Sequence, residues 1–215
     1  MPAVIQRVKQ QAFERQAARP LTTLRQPAFD AACARLMRRV EADFAPTLLV
    51  GIRTGGLTVA LSMAAAATSD VPVRPITCRR GGTHTKSRLP WLRTLLGALP
   101  GPLLDELRRL EHRLLIARRT RKPPRQAIDE TEAAAIAAAL ATSPAERVLI
   151  ADDAVDSGVT LLTVLRTLRA LSPPDTEFRT AVITQTHERP AIEPDFALYR
   201  GVLCRFPWSF DAARR

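Results

Sequence analysis

The sequence predicts an α/β fold, a mostly parallel sheet with helices on both faces. Three observations predict it. Short, mainly apolar runs occur at TLLVGI (47–52), RVLIA (147–151) and TAVITQ (180–185). They are too short for helices and too continuous for strands with one wet face. Helical segments follow the first two, as parallel pairing requires. Both junctions carry glycine, at the strand ends where such sheets hold ligands.

The elements follow in order. Residues 1–27 are polar and basic, end in Pro27, and read as an N-terminal arm with one short helix. Residues 28–215 read as one domain with a helical insertion at about 90–112. A helix is expected over 29–44, with Phe29, Cys33, Leu36, Met37 and Val40 on one face and Asp30 as its cap. Residues 47–52 form a buried strand and LTVALSMAAAA (57–67) a helix. VPVRPITC (71–78) is extended, and its two prolines push it to a sheet edge. Gly97 and Pro100-Gly101-Pro102 break residues 90–114 into two helices, and LLIA (114–117) reads as a strand. Asp129 caps the helix ETEAAAIAAALA. The RVLIA strand ends near Ala151. A helix opens at Ser157-Gly158, carries Leu161, Leu165 and Leu168 on one face, and stops at Pro173-Pro174.

Composition narrows the class. A chain of 215 residues, 46% hydrophobic and 25% charged, is that of a globular protein able to bury its own core. Neither a signal-peptide segment nor a membrane-length apolar run is present, so the reading is cytoplasmic with no membrane partner. Cys33, Cys78 and Cys204 are too few and too scattered for a disulfide framework or zinc spacing. The net charge of +11 permits nucleic acid, but the basic residues are scattered and 29 of the 32 are arginine, which weakens that reading. A phosphorylated small molecule would be attracted equally well.

VLIADDAVDSGVT (148–160) runs strand, turn, helix. The first amides of that helix lack backbone partners and carry the positive end of its dipole. Gly158 allows close approach, and Ser157 and Thr160 add hydroxyl donors, so the turn reads as a phosphate cradle. Asp152 and Asp153 cannot bind phosphate, but carboxylates accept hydrogen bonds from vicinal sugar hydroxyls. Cradle and acids together match a ribose 5-phosphate. No Walker-type GxxxxGK[ST] loop is present.

This stretch resembles the signature of the type I phosphoribosyltransferases, which bind 5-phosphoribosyl 1-diphosphate (PRPP), with Val159 a minor departure. VGIRTGGLTVA (50–60) is similar to the same family's diphosphate loop, its two glycines freeing amides to face an anion. PDFALYRGVLCRFPWSFD (194–211) is similar in style to the C-terminal hood of purine-type members.

The resemblance implies a Mg-dependent pentosyl transferase. It would move ribose 5-phosphate from PRPP to a nitrogenous acceptor, a purine-like base, and release diphosphate. Asp152 and Asp153 would hold the ribose hydroxyls, directly or through a water on Mg2+. Asp156, Ser157, Gly158, Val159 and Thr160 would cradle the 5-phosphate, with Asp156 also the catalytic base. Arg53, Thr54, Gly55 and Gly56 would contact the diphosphate. A flexible loop over 78–88 would bring Arg79, Arg80 and Lys86. Phe206 and Trp208 are candidates for stacking on the base. Where purine enzymes carry a lysine that reads a keto oxygen, this chain offers Gln185 and His187, so the base is left open. A homodimer is expected, the insertion serving as its interface or as a cap. GIRTGG also resembles the loop of a pyrimidine-operon attenuator, so the alternative is a PRPP- or nucleotide-sensing regulator that binds RNA or DNA.

Overall fold

The three apolar runs become the middle of a five-stranded, wholly parallel sheet. The computed structural model describes residues 20–80, 126–142 and 147–209. The chain divides into two units, one of residues 1–78 with 128–215, the other of residues 79–127.

In the first unit the elements are β1 (Leu21–Thr23), α1 (Gln26–Asp43), β2 (Leu48–Ile52), α2 (Gly55–Ala65) and β3 (Val73–Ile76). Two strands lie at the boundary between units, β4 (Cys78–Arg80) and β5 (Gln126–Ile128), and they pair as a separate two-stranded sheet. The first unit resumes with α3 (Glu130–Ala141), β6 (Arg147–Val155), α4 (Val159–Leu171), β7 (Glu177–Gln185), β8 (Phe196–Arg200) and β9 (Leu203–Arg205). The main sheet runs β3-β2-β6-β7-β8. β3 lies at its edge, where the missing amide proton of Pro75 costs least.

Each face of the sheet has its own core. On one face Leu49, Leu149, Ala151, Ala181 and Ile183 pack with Phe29, Leu36 and Met37 of α1 and Val59 and Met63 of α2. On the other, Val50, Val148, Ile150 and Val182 pack with Ile136 and Leu140 of α3 and Leu161, Val164 and Leu168 of α4. The alternation of neighbouring residues between the two cores is the period-2 pleat of a doubly covered strand. Fully burying one such side chain contributes about 1.5–3 kcal/mol. Asp129 caps α3 as expected, accepting from the amides of Thr131 and Glu132 at 3.1 Å each. The three cysteines are free, and Cys33 is buried, which pushes its thiol up to about 11.

Several boundaries differ from the sequence reading. α1 begins at Gln26, with Pro27 in its first turn and Arg25 at the cap position. A proline fits there because the first amides of a helix are unpaired anyway. Asp30 is therefore inside the helix, where it accepts from Gln26 and Ser62 instead of capping. The end of the supposed arm is part of the fold, since Leu21–Thr23 pairs in parallel with Leu203–Arg205. β6 continues to Val155 because its ladder with β7 persists through Val155 and Gln185, so Asp152 and Asp153 are strand residues. The segment read as a hood divides, β8 joining the main sheet and β9 pairing with β1. The insertion, its helices and LLIA lie outside the described residues.

Candidate functional site

β2 and β6 are adjacent and in register through Gly51 and Ala151, so the loops that follow them meet at the carboxyl end of the sheet. Beyond β2 come Arg53 and Thr54, both exposed, joined by a cis peptide bond. Gly55 and Gly56 open α2, whose first turn holds no acidic residue. A Cβ on Gly56 would lie 2.5 Å from Ala151 O and 2.8 Å from Asp152 Cα. One on Gly55 would lie 2.5 Å from Asp153 Cγ and closer still to Oδ2. Glycine is thus required where the first loop presses on the strand carrying the acids.

The two acids diverge. The ladder places Asp152 beside Val182, on the α3/α4 side, and its Oδ1 accepts the Asp153 amide at 2.9 Å. Asp153 turns the other way, against Gly55, with Oδ1 accepting the Ala154 amide at 2.8 Å. Burial pushes the Asp153 carboxyl above the usual aspartate range, against the opposing pull of hydrogen bonds with Asp152, backbone amides and Trp208.

Beyond β6, Asp156 and Ser157 are exposed and Gly158 caps α4 at φ 74°, a left-handed conformation that favours glycine. A Cβ there would meet Ala191 N and Ile192 N at 3.0 Å each. Residues 186–192 brace this turn from behind. Thr186 N donates to Val155 O at 2.8 Å and Ala191 N to Ser157 O at 2.8 Å. The one Thr186 hydroxyl proton is shared between Val155 O at 3.2 Å and Asp156 Oδ1 at 3.3 Å, a carboxylate at the rim of the turn. The first turn of α4 itself holds no acidic residue, which suits an anion at its amides.

The structure therefore packs Gly55 and Gly56 against Asp152 and Asp153, with Arg53 and Thr54 just before the one pair and Asp156 to Thr160 beyond the other in the chain. It does not bring in every expected residue. Arg79 and Arg80 lie in strand β4, not in a loop, because the two chain ends pair there. Lys86 lies outside the described residues. Gln185 is 4% exposed and its amide is spent internally, Oε1 accepting from Arg200 and Nε2 donating to His187 O at 3.1 Å. It is not free to read a base. Phe206 is 5% exposed, stacked on Trp208 at 5.1 Å and edge-on to Phe29 at 6.5 Å. It is a core residue and not a stacking platform, because β9 carries it inward over α1. Trp208 remains 41% exposed beside it. Glu132, Thr186 and Arg200 were missed. Glu132 in a first helical turn signals only a favourable dipole contact, and the others are unremarkable in sequence.

Two concavities among the described residues lie away from these loops. One of about 320 Å³ sits beside Thr47 and Arg147, at the amino ends of β2 and β6. It holds none of the glycines or acids above, and ligands of parallel sheets bind at the opposite end, so the loops outweigh it. Among the described residues no group of three or more His, Cys, Asp or Glu side chains could hold a metal ion, and no helix is long and apolar enough to cross a membrane.

Known proteins agree with this arrangement. The chain resembles the purine phosphoribosyltransferase of Pyrococcus horikoshii Ot3 at 17% identity, covering 87% of this chain and 93% of that one, with a TM-score of 0.55. It resembles the xanthine-guanine-hypoxanthine phosphoribosyltransferase of Helicobacter pylori at 17% identity, covering 88% and 94%, with a TM-score of 0.53. A Neisseria gonorrhoeae protein solved with bound ppGpp matches at 13% identity, covering 90% and 92%, with a TM-score of 0.53. At these identities the likeness is one of fold. No curated protein sequence matches significantly. The phosphoribosyl transferase domain model matches residues 101–213. With more than half of its length matched and its sheet and loops arranged as above, the chain belongs to the phosphoribosyl transferase domain family.

Proposed function

We propose that the protein transfers ribose 5-phosphate from PRPP to a ring nitrogen of a purine-like base, releasing diphosphate. One observation carries the reading. Two glycine loops, each at the start of an acid-free helix, flank a strand end bearing Asp152 and Asp153, with Asp156 just beyond it. Two anion cradles flanking carboxylates suit a sugar phosphorylated at both ends.

The chemistry follows from position. The amides of Ser157 to Thr160 hold the 5-phosphate and those of Gly55 and Gly56 the diphosphate. With both ends fixed, the anomeric carbon is presented to an acceptor on the face opposite the leaving group, and displacement inverts it. The transition state is oxocarbenium-like. Asp152 accepts from a ribose hydroxyl and places negative charge near that cation. Asp156, steadied by Thr186, takes the proton from the acceptor nitrogen. Two neighbouring carboxylates beside a bound diphosphate would suit Mg2+, which keeps water and phosphate oxygens as most of its ligands. Bound with the diphosphate, Mg2+ would neutralise the leaving group, with Asp152 as a water-mediated anchor.

Diphosphate release from Mg-PRPP, measured across a panel of purine and pyrimidine bases, tests this. Turnover with a purine supports it. Tight RNA binding with no turnover for any base supports the second reading, a nucleotide-sensing regulator, which the net charge of +11 permits.

A further inference from the structure

Glu132 has no place in the scheme above, yet both of its carboxylate oxygens are engaged. Oε1 accepts from Arg53 Nε at 3.2 Å and Oε2 accepts from Thr77 N at 2.6 Å. The Glu132 amide is itself held by the Asp129 side chain, and the Asp129 amide donates to Thr77 O at 2.9 Å. The first turn of α3 thus grips Thr77 through both its amide and its carbonyl. From that base it reaches the arginine of the glycine loop. The Arg53 backbone is tied as well, its amide donating to Ile76 O at 2.9 Å.

Bonding at Nε leaves the four N–H groups of the terminal guanidinium nitrogens to be offered elsewhere. The planar fork keeps their direction once Nε is fixed. The side chains of the pair are 44% and 24% exposed, and pairs this exposed contribute little to folding. Its value is therefore geometric. We infer that Glu132 is a positioning residue for the diphosphate loop, holding the Arg53 guanidinium so that its terminal nitrogens meet the anion. This rests on the proposed diphosphate site.

Glu132→Gln separates the two contacts. The single amide oxygen must accept from Thr77 N, which turns the NH2 group towards Arg53 Nε–H, donor against donor. The backbone bond survives and the arginine is released. Charge alone predicts the opposite outcome, because removing a carboxylate beside an anion site should strengthen anion binding.

The experiment is calorimetry of the full chain with Mg-diphosphate and, separately, with ribose 5-phosphate. We expect E132Q to weaken Mg-diphosphate about five- to tenfold, the loss of roughly one oriented charge-assisted bond. Ribose 5-phosphate affinity and melting temperature stay as in wild type. The double variant R53A/E132Q binds diphosphate as weakly as R53A alone, since both changes remove one interaction. If the wild type binds diphosphate and E132Q binds it equally or more tightly, the positioning role is overturned while the proposed function stands. If the wild type takes up neither ligand, the proposed function fails and this inference fails with it.

Discussion

The carboxylate of Asp153 occupies the space that a methyl on Gly55 would need, with Asp153 Cγ only 2.5 Å from that position. One member of the acidic pair is thereby committed to the Gly55 turn, and in the proposed function the sugar falls to Asp152. Gly55→Ala should force Asp153 aside and cost about 1–3 kcal/mol, as overpacking does. Gly56→Ala should cost more, because the obstacles there are backbone atoms of Ala151 and Asp152. For a chain of this size each kcal/mol is about 2–4 °C of melting temperature, so thermal melts of the two variants rank them. Equal and unchanged melting temperatures would refute the close approach.

At the other cradle the constraint is conformational. Gly158→Ala places a side chain at φ 74° and against the Ala191 and Ile192 amides, at a cost of about 1–2 kcal/mol for the backbone alone. The turn should distort, so affinity for ribose 5-phosphate should fall with stability, while Mg-diphosphate binding falls less. Calorimetry with both ligands decides it.

Asp156 is exposed and accepts from Thr186 Oγ1. Asp156→Asn preserves shape but cannot take a proton. Turnover should fall about 10²- to 10⁴-fold, the usual contribution of general base catalysis, with PRPP affinity nearly unchanged. Steady-state kinetics beside PRPP calorimetry separate the two quantities. A parallel loss of both would make Asp156 a binding residue.

Asp153 also predicts a pH effect. Burial raises its pKa above the ordinary value of about 3.9, so the folded state favours the neutral acid. Its contribution is fully present below that ordinary value and is lost as pH rises through the higher folded one. Asp153→Asn is neutral throughout. The melting temperature of the variant should therefore gain on wild type as pH rises from 4 towards neutrality. A gap that stays constant or narrows would show the carboxylate to be better solvated than its burial implies.

Much of this was legible locally. The runs at 47–52, 147–151 and 180–185 could satisfy their apolar side chains only inside a covered parallel sheet, and all three are central strands. Asp129 announced α3 because a short acceptor before a helix has one obvious use. Pro27 misled because proline both ends segments and starts helices. The end of β6 was set too early because acidic side chains are rare in buried strands and mask a ladder that only β7 reveals.

The sequence by itself determined the order of strand, glycine turn and helix, and with it the two turns proposed as anion cradles. These depend on backbone conformation within a few residues, which local chemistry dictates. Only the tertiary structure decided which of the candidate side chains are engaged within the fold. Gln185 is consumed by Arg200, Phe206 by Phe29 and Trp208, and Arg53 is held by a glutamate 79 residues away. Such contacts depend on how distant segments pack, and a period of 2 or 3.6 residues carries no record of them.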